Sequence, residues 1–189
     1  MKKIVLRKMN DFARKSSVLV HLEEQGYERK QIDKSKYGFV LSKTFESTGD
    51  TVIFMPGTGV KRFFSWVSLF RNPDESFLVI SRDGHKTLKI LEKRNQATSG
   101  TIDTKLCLGP YFKEEYQELL GPDITVEYAF CICDFLKVEY LSSFKKWETL
   151  RLINERHGIK VFFGESPDYL QQLEEWIFSQ PLGPCQSET

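Results

Sequence analysis

Three segments of this chain are apolar without interruption: Val52-Ile53-Phe54-Met55, Phe77-Leu78-Val79-Ile80 and Ala129-Phe130-Cys131-Ile132-Cys133. Each is rich in β-branched or aromatic residues and too short for a core helix. A strand with one wet face alternates apolar and polar residues. One that does not alternate is covered on both faces. Helical patterns lie between and after these runs, so the expected fold is α/β: one domain over 1–180, with a mixed or mainly parallel sheet flanked by helices on both faces. Fifteen Phe, seven Tyr and three Trp in 189 residues supply the bulk for such a core.

Local signals give the order of elements. An N-terminal helix is predicted over 10–26, started by Asn10 or Asp11 and stopped by Gly26. Residues 28–36 read as a charged loop or short helix. Strands are predicted over 37–45, 51–55, 77–80, 101–108, 124–136 and 159–163, and helices over 60–70, 111–120, 143–157 and 167–179. Residues 86–93 fit either state, and 181–189 read as a flexible tail. No apolar run reaches the ~18 residues of a membrane span, so no membrane partner is expected.

Cys131 and Cys133 lie in an apolar run, and Cys107 and Cys185 stand apart. None has the paired spacing of a zinc knuckle. Buried free thiols imply a reducing compartment, cytoplasm or nucleus. If 124–136 is one strand, Cys131 and Cys133 share a face, and their serine substitutions should behave alike.

The net charge of +1 hides an asymmetry: residues 1–94 carry 19 Lys/Arg against 11 Asp/Glu, and residues 95–189 carry 8 against 15. The first half is therefore +8 and the second −7. Lys2, Lys3, Arg7, Lys8, Arg14 and Lys15 form the densest basic group, and Lys61 and Arg62 follow the glycine turn Pro56-Gly57-Thr58-Gly59. These residues are the candidate anion- or nucleic-acid-binding set, because such a face attracts phosphate or an acidic protein surface.

The acidic candidates are Glu127, Asp134 and Lys137. Pro122-Asp123 followed by Asp134-Phe135-Leu136-Lys137 resembles the Pro-Asp…Asp/Glu-x-Lys signature of restriction-endonuclease-type nucleases, with one residue too many. Pro73-Asp74 with Asp83 and Lys86 is a second imperfect copy. The resemblance implies carboxylates holding Mg2+ and a lysine that positions water and phosphate. One uninterrupted strand keeps Asp123 far from Asp134, up to ~36 Å at ~3.3 Å per residue. An acidic site would then pair Asp134 with Glu127 or with a carboxylate from another loop. Residues 17–82 also bear a faint resemblance to the N-terminal jaw domain of the fifth-largest subunit of eukaryotic-type RNA polymerases. It rests on Gly26-Tyr27, Phe54-Met55-Pro56, Gly59-Val60-Lys61 and Phe77-Leu78-Val79-Ile80. That family's C-terminal module has no counterpart in 140–189, and the chain is not assigned to it.

Two functions follow as expectations. One is a nucleic-acid-associated protein with a Mg2+-dependent nuclease-like site. The other is a non-catalytic protein-interaction subunit of a larger assembly, such as one for transcription or replication.

Overall fold

The computed structural model describes Phe12 and residues 16–35, 38–96 and 102–179. Its elements are α1 (Leu19–Glu24), β1 (Glu28–Gln31), β2 (Phe39–Thr44), β3 (Thr51–Pro56), α2 (Gly59–Phe63), β4 (Glu75–Ile80) and β5 (Lys86–Arg94). Then follow α3 (Ile102–Cys107), α4 (Gly109–Leu120), β6 (Ile124–Ile132), α5 (Asp134–Tyr140), α6 (Lys145–Arg156), β7 (Lys160–Phe163) and α7 (Tyr169–Phe178). The seven strands form one mixed sheet in sequence order. The fold is α/β.

β1 to β5 are an antiparallel meander, and β6 and β7 add in parallel. The change of direction follows from the connections. Asp83-Gly84 turns β4 into β5 directly, with Gly84 at φ +89°, a conformation that glycine adopts without penalty. Parallel neighbours need a crossover, which α3–α4 and α5–α6 supply.

The three apolar runs lie in β3, β4 and β6. Val52, Phe54, Met55, Phe77, Ala129, Phe130 and Cys131 are each about 1% exposed or less. On β6, Phe112 of α4 meets Tyr128 with ring centroids 6.1 Å apart, and Gly109 lets α4 approach Phe130. On the same strand Cys131 lies near Tyr169 of α7. Neighbouring strand residues point opposite ways, so here α4 and α7 touch side chains of opposite parity. Gln117 ties α4 to β6: its Oε1 accepts the Val126 N–H at 2.9 Å, and its Nε2 donates to the Gly121 and Ile124 carbonyls.

Several local expectations are corrected. Residues 28–31 are a strand: all four are exposed, and pairing with β2 rather than a local pattern makes them β. The expected helix over 60–70 is limited to Gly59–Phe63, in a segment of aromatic and serine residues with little helix propensity. Residues 86–94 are a strand. The expected strand over 101–108 is helical, since Ile102 and Leu106 are also one helical turn apart. The expected strand over 124–136 stops at Ile132, and Asp134 opens α5 with its carboxylate in the first turn, where a helix favours negative charge. Leu136 and Tyr140, four apart, are the buried face of that helix. Of the helix expected over 10–26, the described part is Phe12 and Leu19–Glu24, with Gly26 ending it at φ +81°. The tail 181–189 lies outside the described residues.

Candidate functional site at the edge of β4 and β5

β5, β6 and β7 finish side by side, stitched by Cys133 N–H to the Arg94 carbonyl (3.2 Å) and Gly164 N–H to the Ile132 carbonyl (3.0 Å). β4 runs against β5, so its beginning, not its end, lies at this edge. Ile80 pairs with Lys86 and Glu75 with Leu91. Continuing that register sets Asp74 opposite Glu92.

Alternation then sorts the charges. Asp74, Glu92 and Arg94 share one parity, and Glu75 and Lys93 the other. Glu92 is 8% exposed and pairs with Arg94 Nη2 at 3.0 Å. Arg94 Nη1 lies 3.9 Å from Asp74 Oδ2, which also accepts the Lys93 N–H at 2.7 Å. Arg94 thus pairs with both the Asp74 and the Glu92 carboxyl. Burial pushes the Glu92 carboxyl up to about 7; Arg94 pulls it down and Asp74 pushes it up. Tyr116, buried and with no partner for its hydroxyl, borders the cluster. Beyond it, Arg71 lies over the Phe112 ring (4.4 Å) and pairs with Glu115 at 2.9 Å.

On the other parity, Glu75 Oε1 and Lys93 Nζ are 2.6 Å apart, and Lys93 also donates to the Ser16 carbonyl at 2.6 Å. Glu75 Oε2 is buried without a hydrogen-bond partner. Burial raises its pKa although Lys93 opposes it. Through the Ser16 carbonyl the pair ties β5 to the segment that leads into α1.

The residues named from sequence do not form one constellation. Asp134 is exposed at the start of α5, its N–H donating to Glu165 Oε2 at 2.9 Å. Lys137, one turn on, reaches Ser166 Oγ at 3.2 Å and lies over the Phe163 ring. Glu127 does not join them. It sits five residues before the end of β6, roughly 16 Å of strand away, and pairs with Lys89 at 3.0 Å. Asp123 and Asp134 flank the uninterrupted strand Ile124–Ile132, which keeps them apart as expected. Lys61 Nζ donates to the Phe70 carbonyl at 3.3 Å. Arg62 pairs with Asp33 at 2.8 Å and bonds Ser35 Oγ. Lys2, Lys3, Arg7, Lys8, Arg14 and Lys15 lie outside the described residues.

Pro73-Asp74 stands out in the sequence, but Asp83 in the turn and Lys86 at the first residue of β5 do not lie opposite it. Reflecting Asp74 through that turn lands on Glu92-Lys93-Arg94. The signal was present in the chain, but it needed the register.

Among the described residues, no group of three or more His, Cys, Asp or Glu stands together as a metal-binding set. None of their helices is long and apolar enough to cross a membrane. Comparison with protein families, curated proteins and solved structures finds no match.

Proposed function

We propose that this is a nucleic-acid-associated protein whose site at Asp74, Glu92 and Arg94 hydrolyses phosphodiesters with the help of a divalent cation such as Mg2+. The observation that carries the reading is the placement of the Asp74 and Glu92 carboxyls opposite each other in the β4–β5 register, with Arg94 pairing with both. Two neighbouring carboxylates repel unless a proton or a cation lies between them, and Arg94 supplies one positive charge for the two. Mg2+ suits such a pair, since it takes one or two carboxylates and completes its shell with water and substrate phosphate. Bound there, it would polarise the scissile phosphate.

Pro73-Asp74…Glu92-Lys93-Arg94 then fills the nuclease-type pattern with Arg in place of Lys. A guanidinium stays charged and grips phosphate through two parallel N–H groups, so Arg94 orients substrate and does not take a proton. Asp134 and Lys137, at the same edge of the sheet, are candidates for the flanking nucleotides. The basic N-terminal half supports nucleic acid as the partner. Buried thiols at Cys131 and Cys133 support a reducing compartment, cytoplasm or nucleus.

The test is cleavage of labelled single-stranded DNA, duplex DNA and RNA with Mg2+, Mn2+ or EDTA. Metal-dependent cleavage is expected, and Asp74→Asn and Glu92→Gln should each lower it at least 100-fold while keeping a cooperative melt. No cleavage of any substrate, or cleavage that survives Asp74→Asn, overturns the reading.

A further inference from the structure

β7 is the last strand of the sheet, and its outer edge pairs with no strand among those described. The Gly164 N–H points back to Ile132, and peptide groups alternate direction along a strand. The N–H and C=O of Val161 therefore point away from β6, on the edge that no described strand covers.

A cavity of about 390 Å³ lies beside this edge, lined by Tyr140, Arg151, Asn154, Glu155 and residues 158–161. Asn154 is 1% exposed, and neither its Oδ1 nor its Nδ2 has a hydrogen-bond partner. The Tyr140 hydroxyl approaches the amide without completing a hydrogen bond. A buried unpaired amide is costly, and Asn154 holds both a donor and an acceptor against this cavity. The α5–α6 hairpin that walls it exposes Val138, Leu141, Phe144 and Leu152 to solvent. Charge adds a direction: residues 143–160 hold five Lys/Arg and two Asp/Glu, within a half-chain of net −7. Arg151 and Lys160, against the single carboxylate Glu155, line the cavity itself, with Arg151 Nη1 also donating to the Tyr140 and Ser142 carbonyls.

We propose that the open edge of β7 and the cavity beside it take an extended acidic peptide segment of another protein as an eighth strand. Strand addition draws affinity from main-chain hydrogen bonds and specificity from alternate side chains. Val161 supplies the ladder contacts. The Asn154 amide matches the carbonyl and N–H of a peptide group. Arg151 and Lys160 meet the acidic side chains, and the exposed apolar residues of the hairpin meet those between. The site is independent of the Asp74–Glu92 cluster.

The probe is a fluorescein-labelled octapeptide of alternating Asp and Val, followed by fluorescence anisotropy, with an alternating Lys and Val octapeptide as control. Saturable binding of the acidic peptide alone is expected. Val161→Pro deletes the outward N–H at an edge position that tolerates proline and should weaken binding at least tenfold. Should that variant lose its cooperative melt, Lys160→Ser, which removes an exposed charge, carries the same expectation. Asp74→Asn should leave binding unchanged. No binding of the acidic peptide at millimolar concentration, equal binding of the basic peptide, or full binding by the folded variants overturns the proposal.

Discussion

Lys89 Nζ donates to the Trp176 carbonyl at 2.6 Å, joining the middle of β5 to the last turn of α7 across 87 residues of sequence. The same ammonium reaches the Ser179 carbonyl and hydroxyl and Glu127 Oε2. Lys89 is 0% exposed. It satisfies carbonyls that a helix end leaves open, and burial lowers its pKa although Glu127 opposes the shift. Lys89→Met should cost about 3–5 kcal/mol, because Glu127 and the helix carbonyls lose their partner together. Lys89→Met/Glu127→Gln should recover part of that loss. Urea melts decide it, and a Lys89→Met loss under about 1 kcal/mol would remove Lys89 from its proposed role.

Glu92 makes stability depend on pH. Its carboxyl is raised from an ordinary 4.5 to about 7, so between these values the folded state holds a proton that the unfolded state has released. Stability therefore falls as pH rises through that window. The effect is on the order of 3 kcal/mol, at 1.36 kcal/mol per unit. Glu92→Gln keeps the neutral shape at every pH. In EDTA it should gain on the wild type by about that amount between pH 4.5 and pH 8. An unchanged gap between the two proteins at both pH values would contradict it.

Cys131 and Cys133 should not behave alike, contrary to the expectation from sequence. Cys131 is inside β6 against Tyr169, and burial drives its thiol up to about 12. Cys133 lies past the strand end as the N-cap of α5, where its side chain makes no capping bond. Cys131→Ser should cost about 1–3 kcal/mol for a hydroxyl in an apolar site. Serine is a good N-cap, worth about 0.5–2 kcal/mol, so Cys133→Ser should be nearly neutral. Equal destabilisation in thermal melts would argue against this difference.

The basic N-terminus is tested through salt. Changing Lys2, Lys3, Lys8 and Lys15 to Ser should weaken nucleic-acid binding and flatten its dependence on salt concentration, because fewer counterions are released. Unchanged affinity with an unchanged slope would take this segment out of the binding face.

The unbroken apolar runs, read alone, were enough to mark β3, β4 and β6 as strands of the sheet, although Ile53, Val79 and Ile80 stay half-buried. Gly26, Gly84, Gly121 and Gly158 marked chain reversals for an equally local reason: each adopts a positive φ that other residues resist. What lay beyond the sequence was pairing. Glu28–Gln31 is a strand only because β2 lies beside it, and residues 102–107 fit both periods until the packing of Leu106 chose one. The candidate site is the same case. Pro73-Asp74 was visible, but its partner eighteen residues on was decided by the β4–β5 register, and the split of Glu92 and Arg94 from Lys93 by alternation. Main-chain hydrogen bonds between distant segments fix such choices, and no local pattern of side chains encodes them.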